Sequence, residues 1–110
     1  MMKLAISTAA AGLLRALRAR AGIDQDRILL TEFRSTDWQS LIFTGERHEM
    51  ELRIPGPDAP QLARRITDGL SDAEFVIPGQ IVADICLQRP LEQNRDLSIS
   101  LHLEALTIAE

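Results

Sequence analysis

Residues 37–52 read DWQSLIFTGERHEMEL, and this stretch decides how the chain can fold. It holds the only tryptophan, one of the two histidines, and a glycine at which the apolar pattern changes face. Before Gly45, the apolar side chains of Leu41 and Phe43 occupy odd positions. After it, Met50 and the apolar residues that follow occupy even positions. Because strand side chains alternate with a period of two and glycine tolerates an inserted residue, the pattern predicts one strand with a bulge at Gly45.

The periodicity on either side of this stretch predicts the order α-β-β-α-β-β. An amphipathic helix is expected at about residues 8–21, and a short helix after Asp58, where Gln61 follows at the spacing of a capping box. The predicted strands cover about residues 27–35, 38–54, 74–88 and 97–108. We expect the first turn at residues 35–37, and we interpret Pro78-Gly79 as part of a continuous edge strand.

This order predicts a single domain over residues 1–110, with an α+β fold. We expect a two-layer sandwich in which a four-stranded antiparallel sheet carries both helices on one face. The other face of the sheet should be polar and short-chained, which suits water or a neighbouring subunit. The residues predicted to lie on it are Val82, Asp84, Cys86, Ser98, Ser100, His102 and Glu104.

The composition excludes some classes of protein. A net charge of −4 and an aromatic content of 4% argue against a nucleic-acid-binding surface. The single Cys86 cannot form an internal disulfide, so a reducing compartment is the default expectation. The N-terminal segment is compatible with a core helix, a cleaved signal peptide or a membrane-surface helix, and its helical spacing favours the core helix. No apolar run approaches a membrane span.

Possible catalytic and metal-binding groups do not converge in the pattern. Asp37, Asp84 and His48 are candidates for a catalytic group, but the sequence has no nucleophile elbow and no glycine-rich phosphate loop. The two histidines should point apart, because His48 shares its parity with inward residues while His102 lies on the outward face. Zinc needs three or four converging ligands. We therefore predict a protein that is not an enzyme and has no cofactor or metal.

Charged residues of alternating sign follow the polar side of the first two strands. They are Arg34, Arg47, Glu49, Glu51 and Arg53. One interpretation is a solvated face with internal salt bridges, and the other is a contact between subunits. Trp38 is either a cap on the core or an interface anchor. The candidate interface residues are Asp37, Trp38, Arg47, His48, Glu49, Glu51 and Arg53.

The spacing of several motifs is similar to that of a known family. Thr36-Asp37-Trp38 is followed seven residues after the tryptophan by Gly45, and three residues later by His48. Later segments agree, namely FVIPG at 75–79, IVADI at 81–85 and LHLEAL at 101–106. The chain resembles the tail terminator (tail-completion) proteins of siphophages and of bacterial gene transfer agents. It departs from them in the apolar Leu41-Ile42-Phe43, where members are commonly rich in Thr, Lys and Gly.

The resemblance implies a non-enzymatic structural protein of the virion. Such a protein forms a ring, usually six-fold, that caps the tail tube and joins it to the head. Its partners would be further copies of itself, the major tail tube protein and a head-completion (stopper) protein of the neck. DNA would pass through the lumen without specific binding, and the ring would be assembled in the bacterial cytoplasm. Two alternatives remain: a small homodimeric α+β binding module and a small enzyme.

Overall fold

An antiparallel five-stranded sheet forms the frame of the structure, a computed structural model that describes residues 6–22 and 25–110. The helices are α1 (Thr8–Arg20) and α2 (Ala59–Thr67), and short 3-10 turns cover Gln25–Arg27 and Leu70–Asp72. The strands are β1 (Leu29–Gln39), β2 (Thr44–Ile54), β3 (Gln80–Leu87), β4 (Glu92–Gln93) and β5 (Ile99–Ala109). The predicted α+β class and antiparallel sheet are confirmed, with the two-residue β4 as an addition.

The C-terminal strand β5 occupies the middle of the sheet. Its neighbours give the order β1-β2-β5-β3, and β4 pairs with the start of β5 beside β3. Odd positions of β5, from Ile99 to Thr107, face inward and are buried. In β2, the even positions His48 to Ile54 face them and are also buried. The alternation in both strands therefore matches the predicted period of two.

One hydrophobic cluster joins the inward side of the sheet to both helices. From α1 it includes Leu13 and Leu17, and from α2 Leu62 and Ile66. The Ser7 side chain caps α1 by accepting a hydrogen bond from the Ala10 amide at 3.1 Å. Burial of these apolar side chains is the main driving force for the fold. That both helices lie on one face of the sheet stays a prediction.

The predicted bulge at Gly45 is wrong, because the chain reverses earlier, in the loop 40–43. Residues 35–37 lie inside β1, and Trp38 belongs to β1 rather than to β2. The parity switch therefore comes from a hairpin turn. Gly45 is needed for a different reason: a Cβ atom there would lie 2.0 Å from the Thr107 carbonyl oxygen of β5. Only a glycine allows the two backbones to approach this closely.

The continuous strand predicted over residues 74–88 is also wrong. Pro78-Gly79 forms a turn, with the Gln80 amide donating to the Ile77 carbonyl at 3.1 Å and Gly79 at φ +75°. A register shift between Val82 and Asp84 then reverses the faces within β3. As a result Val82 packs against the core, whereas Ile81 is half exposed. Because this register shift returns the inward face of β3 to odd positions, the alternation in the sequence did not reveal the turn at Pro78-Gly79.

The capping box predicted at Asp58 does not form. Asp58 precedes α2, but its side chain makes no capping hydrogen bond. Its carboxylate instead pairs with Arg27, and this hydrogen bond holds the pKa of Asp58 below its usual value. The aspartate thus links the start of α2 to the segment before β1.

We expect Gly45→Ala to lower the free energy of unfolding by about 2 kcal/mol, since the new methyl group must displace β5. Urea unfolding curves measure this change. Thr44→Ala is the matched control, because Thr44 is the exposed neighbour in the same strand. It should shift stability by no more than about 0.5 kcal/mol. Equal stability of the two variants would contradict the close approach of β2 and β5.

Candidate functional site

A buried row of polar side chains crosses three strands on the inward face. His48 of β2 is 1% exposed, and its Nδ1 lies 2.8 Å from the Ser35 Oγ atom of β1. Its Nε2 lies 2.8 Å from the Thr107 Oγ1 atom of β5. Both ring nitrogens are therefore satisfied inside the fold. The row adds side-chain hydrogen bonds to the backbone pairing of β1, β2 and β5, and these favour one register.

The hydrogen-bond pattern fits one tautomer of the buried histidine. The Thr107 hydroxyl donates to the Glu46 carbonyl at 3.5 Å, so it can accept a hydrogen bond from His48 Nε2–H. Nδ1 then accepts from the Ser35 hydroxyl. Burial lowers the pKa of His48, and the nearby Glu46 carboxylate offsets part of that shift. The imidazole is therefore held neutral, as a structural element within the sheet.

The Ser35–His48 pair resembles the hydroxyl–imidazole half of a nucleophilic site, and sequence reasoning missed Ser35. Such sites also need a group that orients the base. Here the second ring nitrogen contacts the buried Thr107 hydroxyl rather than a carboxylate. Periodicity placed His48 inward correctly. Its partners could not be identified, because pairing across strands depends on the position of the turn.

The outward face of the sheet carries the charged residues predicted from the sequence. Arg34 pairs with Glu49 directly across β1 and β2. The Arg47 Nη1 atom lies 2.7 Å from Glu104 Oε1, which connects β2 to β5. Arg53 Nη2 lies 2.8 Å from Asp96 Oδ2. These contacts within the chain fit the solvated, salt-bridged interpretation, and exposed pairs of this kind add little to stability.

Hydrogen bonds to these carboxylates perturb their ionisation. A hydrogen bond from Arg34, together with one from the Gln88 amide, lowers the pKa of Glu49. Hydrogen bonds from Ser98, with the charge of Arg53 nearby, lower the pKa of Asp96.

Ser98 and Ser100 are buried rather than exposed as predicted, because Asn94 donates to both hydroxyl groups at 2.9 Å.

The predicted interface residues divide into four groups. His48 is buried within the fold and is not available to a partner. Arg47, Glu49 and Arg53 are engaged within the chain, as described above. Glu51 and Asp37 form no ion pair with any residue that the structure describes. Trp38 is half-buried on the outward face, in register with Gly45.

Arginine side chains near the helix ends donate hydrogen bonds to backbone carbonyls of other segments. The sequence alone did not predict this role. Arg18 Nη2 donates to the Ile28 carbonyl at 2.8 Å, and Arg20 Nε donates to the Ile66 carbonyl at 2.9 Å. Arg65 Nη1 donates to the Ala21 carbonyl at 3.2 Å. Basic residues in the last turn of a helix are the local signal, but their targets lie in other elements.

Two unlike edges of the sheet pair with no further strand among the residues that the structure describes. β1 forms one edge, with 11 residues, and β3 forms the opposite edge, with eight. In residues 6–22 and 25–110, no group of three or more His, Cys, Asp or Glu side chains could hold a metal ion. Over the same residues, no helix is long and apolar enough to cross a membrane.

No family model, curated protein or solved structure matches this chain.

Lowering the pH from about 7.5 to about 5.5 should lower the free energy of unfolding, because the folded state resists protonation of His48. Its folded pKa lies below the ordinary value of 6.5, so the contribution is complete above that value and is lost as the pH falls. The limiting slope for one group is about 1.4 kcal/mol per pH unit. Urea unfolding at several pH values measures it.

Two histidine variants separate this effect from the titration of other groups. His48→Gln should remove the slope, whereas His102→Gln, on the outward face, should retain it. The pKa values of Glu49, Asp58 and Asp96 are also lowered, so these carboxylates stabilise the folded state too. Their contributions to the free energy of unfolding are lost only near and below about pH 4.5, which is outside the pH range of that experiment. If the wild-type protein is equally stable at both pH values, the structural role of neutral His48 is wrong.

Proposed function

We propose that this protein is a tail terminator, a ring-forming structural subunit of a siphophage-like particle or gene transfer agent. The ring caps the completed tail tube and joins it to the neck. The observation that carries the proposal is the pair of unlike open edges, β1 and β3, on one antiparallel sheet. A ring is built by head-to-tail contacts, and each subunit then needs two different complementary surfaces. Exposed strand edges are surfaces of this kind.

The sequence resemblance adds an independent reason. The spacing of Asp37-Trp38, Gly45 and His48 resembles the family, and each of these positions has a defined place in the sheet. Gly45 permits the close approach of β5, and His48 links three strands. Conservation of such a spacing would reflect the fold rather than a binding site. The proposed role is therefore assigned to edges and exposed loops, and not to Gly45 or His48.

The charge of the chain suits a conduit for DNA. The net charge is −4, and an acidic wall repels phosphate instead of gripping it. On this proposal the partners are further copies of the chain, the major tail tube protein and a stopper protein of the neck. The protein would then be located in the tail of the particle.

A homodimeric binding module is the second candidate. The free β1 edge is long enough to pair with the same edge of a second copy, which would close a two-fold dimer. A dimer of this kind uses the β1 edge of both copies, so no β1 edge remains for a further copy. The size of the assembly therefore separates the two candidates.

Deleting the gene from a producing strain should yield tails that do not join heads, because the tube end lacks its adaptor. Electron micrographs of lysates and the titre of particles that deliver DNA measure the result. A plasmid copy of the wild-type gene is the control and should restore both. Tails of normal length that are joined to heads in the deletion strain would rule out the proposed function.

Glu51→Arg tests whether the outward face contacts a partner. Glu51 forms no ion pair within the described part of the chain, so reversing its charge should leave stability nearly unchanged. Binding to tail tubes should weaken about tenfold if the residue faces a partner cation. Glu74→Arg, an equal charge change in an exposed loop, is the matched control. Equal binding of the Glu51→Arg and Glu74→Arg variants to tail tubes would show that the outward face is not part of the interface.

A further inference from the structure

Three consecutive exposed apolar residues form the tip of the β1–β2 hairpin. Leu41 is fully exposed, Ile42 is 79% exposed and Phe43 is 50% exposed. We call Leu41–Phe43 the hairpin tip. Monomeric proteins rarely keep such residues together in water without a partner for them.

Two hydrogen bonds between Ser40 and Phe43 close the loop that carries the hairpin tip. The Ser40 amide donates to the Phe43 carbonyl at 2.8 Å, and the Phe43 amide donates to the Ser40 hydroxyl at 3.1 Å. A loop that is already fixed loses little conformational entropy when it binds. The tip is therefore a closed apolar loop that protrudes from the sheet, a shape that suits insertion into a groove.

An apolar groove lies at the other end of β1, between that strand and α1. Its volume is about 420 Å³. Its apolar lining comes from Ile6, Leu14, Leu29, Leu30 and Phe33, and its charged lining from Arg18 and Glu32. Leu29 is 47% exposed, although Leu30 and Phe33 of the same strand pack against the core. We call this the α1–β1 groove.

The tip and the groove of one molecule cannot meet. β1 runs ten residue steps from Leu29 to Gln39, which is about 33 Å at about 3.3 Å per residue. An extended, paired strand cannot fold back on itself to bring its ends together. An occupant of the groove that resembles the tip must therefore come from a second copy.

Of the two charged residues in the groove, Arg18 and Glu32, Arg18 is complementary to the carboxylates beside the hairpin tip. Asp37 of β1 is in register with Glu46 of β2, so two carboxylates stand side by side next to the hairpin tip. Like charges directly opposite each other are unfavourable, and a nearby cation would relieve them. The α1–β1 groove supplies Arg18, whose guanidinium uses its Nε and Nη2 atoms to bind the Ile28 carbonyl. Its Nη1 atom makes no hydrogen bond with any residue that the structure describes, so it can face a carboxylate.

We propose that the hairpin tip of one copy inserts into the α1–β1 groove of the next copy in a head-to-tail row. Ile42 and Leu41 fill the groove, and Asp37 and Glu46 approach Arg18. The head-to-tail direction rests on the proposed function, since only a contact that repeats can close into a ring. The same contact made reciprocally by two copies would end at a dimer.

Site-specific cross-linking of the full chain tests the contact and its direction. In a Cys86→Ser background, Ile42→Cys and Leu29→Cys place one thiol on the tip and one in the groove. A short bismaleimide should join the two single variants when they are mixed, because proximity raises their effective concentration. We expect a cross-linked yield at least about tenfold above that of the control. The control pairs Leu29→Cys with Val76→Cys, an apolar residue that is 95% exposed and belongs to neither surface.

The variant that carries both Ile42→Cys and Leu29→Cys decides the direction. A ladder of species larger than dimers supports the head-to-tail contact. Dimers alone would overturn it in favour of a reciprocal two-fold contact. Efficient cross-linking of Ile42→Cys with itself would overturn it in favour of tip-to-tip packing. A yield no higher than that of the Val76 control would show that the tip does not bind in the groove. The deletion strain tests the tail function separately.

Discussion

The position of β5 in the middle of the sheet is the constraint on which the rest of the structure depends. β5 pairs with β2 on one side and with β3 and β4 on the other. Its inward side chains join the hydrophobic cluster, and Thr107 binds the buried His48. Without the last strand, the β1–β2 hairpin and β3 would have no common neighbour. The sheet is therefore completed by contacts between residues far apart in sequence, which are costly in loop entropy.

Periodicity predicted the two helices and the four longer strands, but not their exact bounds, the short β4 or the turns. The alternation of β5 and of residues 48–54, and the helical spacing of α1, correctly identified the buried face of each element. The position of the first turn was wrong because an inserted residue and a hairpin change parity in the same way. The apolar residues 41–43 also disguised the loop, since a loop of this kind is usually polar. In β3, the turn at Pro78-Gly79 and the later register shift compensated for each other.

The partners of the polar side chains could not be predicted from the sequence, for a related reason. Arg47 and Glu104 are 57 positions apart, and their contact depends on the register between β2 and β5. The same holds for Ser35, His48 and Thr107, which a one-residue slip would separate. The sequence could name the charged outward residues and an inward histidine. It could not indicate that the charges are mostly paired within the chain, which moves the candidate interface to the edges and the hairpin tip.

We propose that copies of this chain assemble into a closed ring on a tail tube. Electron microscopy of the purified protein mixed with tubes of the cognate major tail protein tests this proposal. We expect a single ring at one end of each tube, in which neighbouring subunits touch through unlike surfaces. Bare tube ends, with the protein present only as monomers or two-fold dimers, would contradict it.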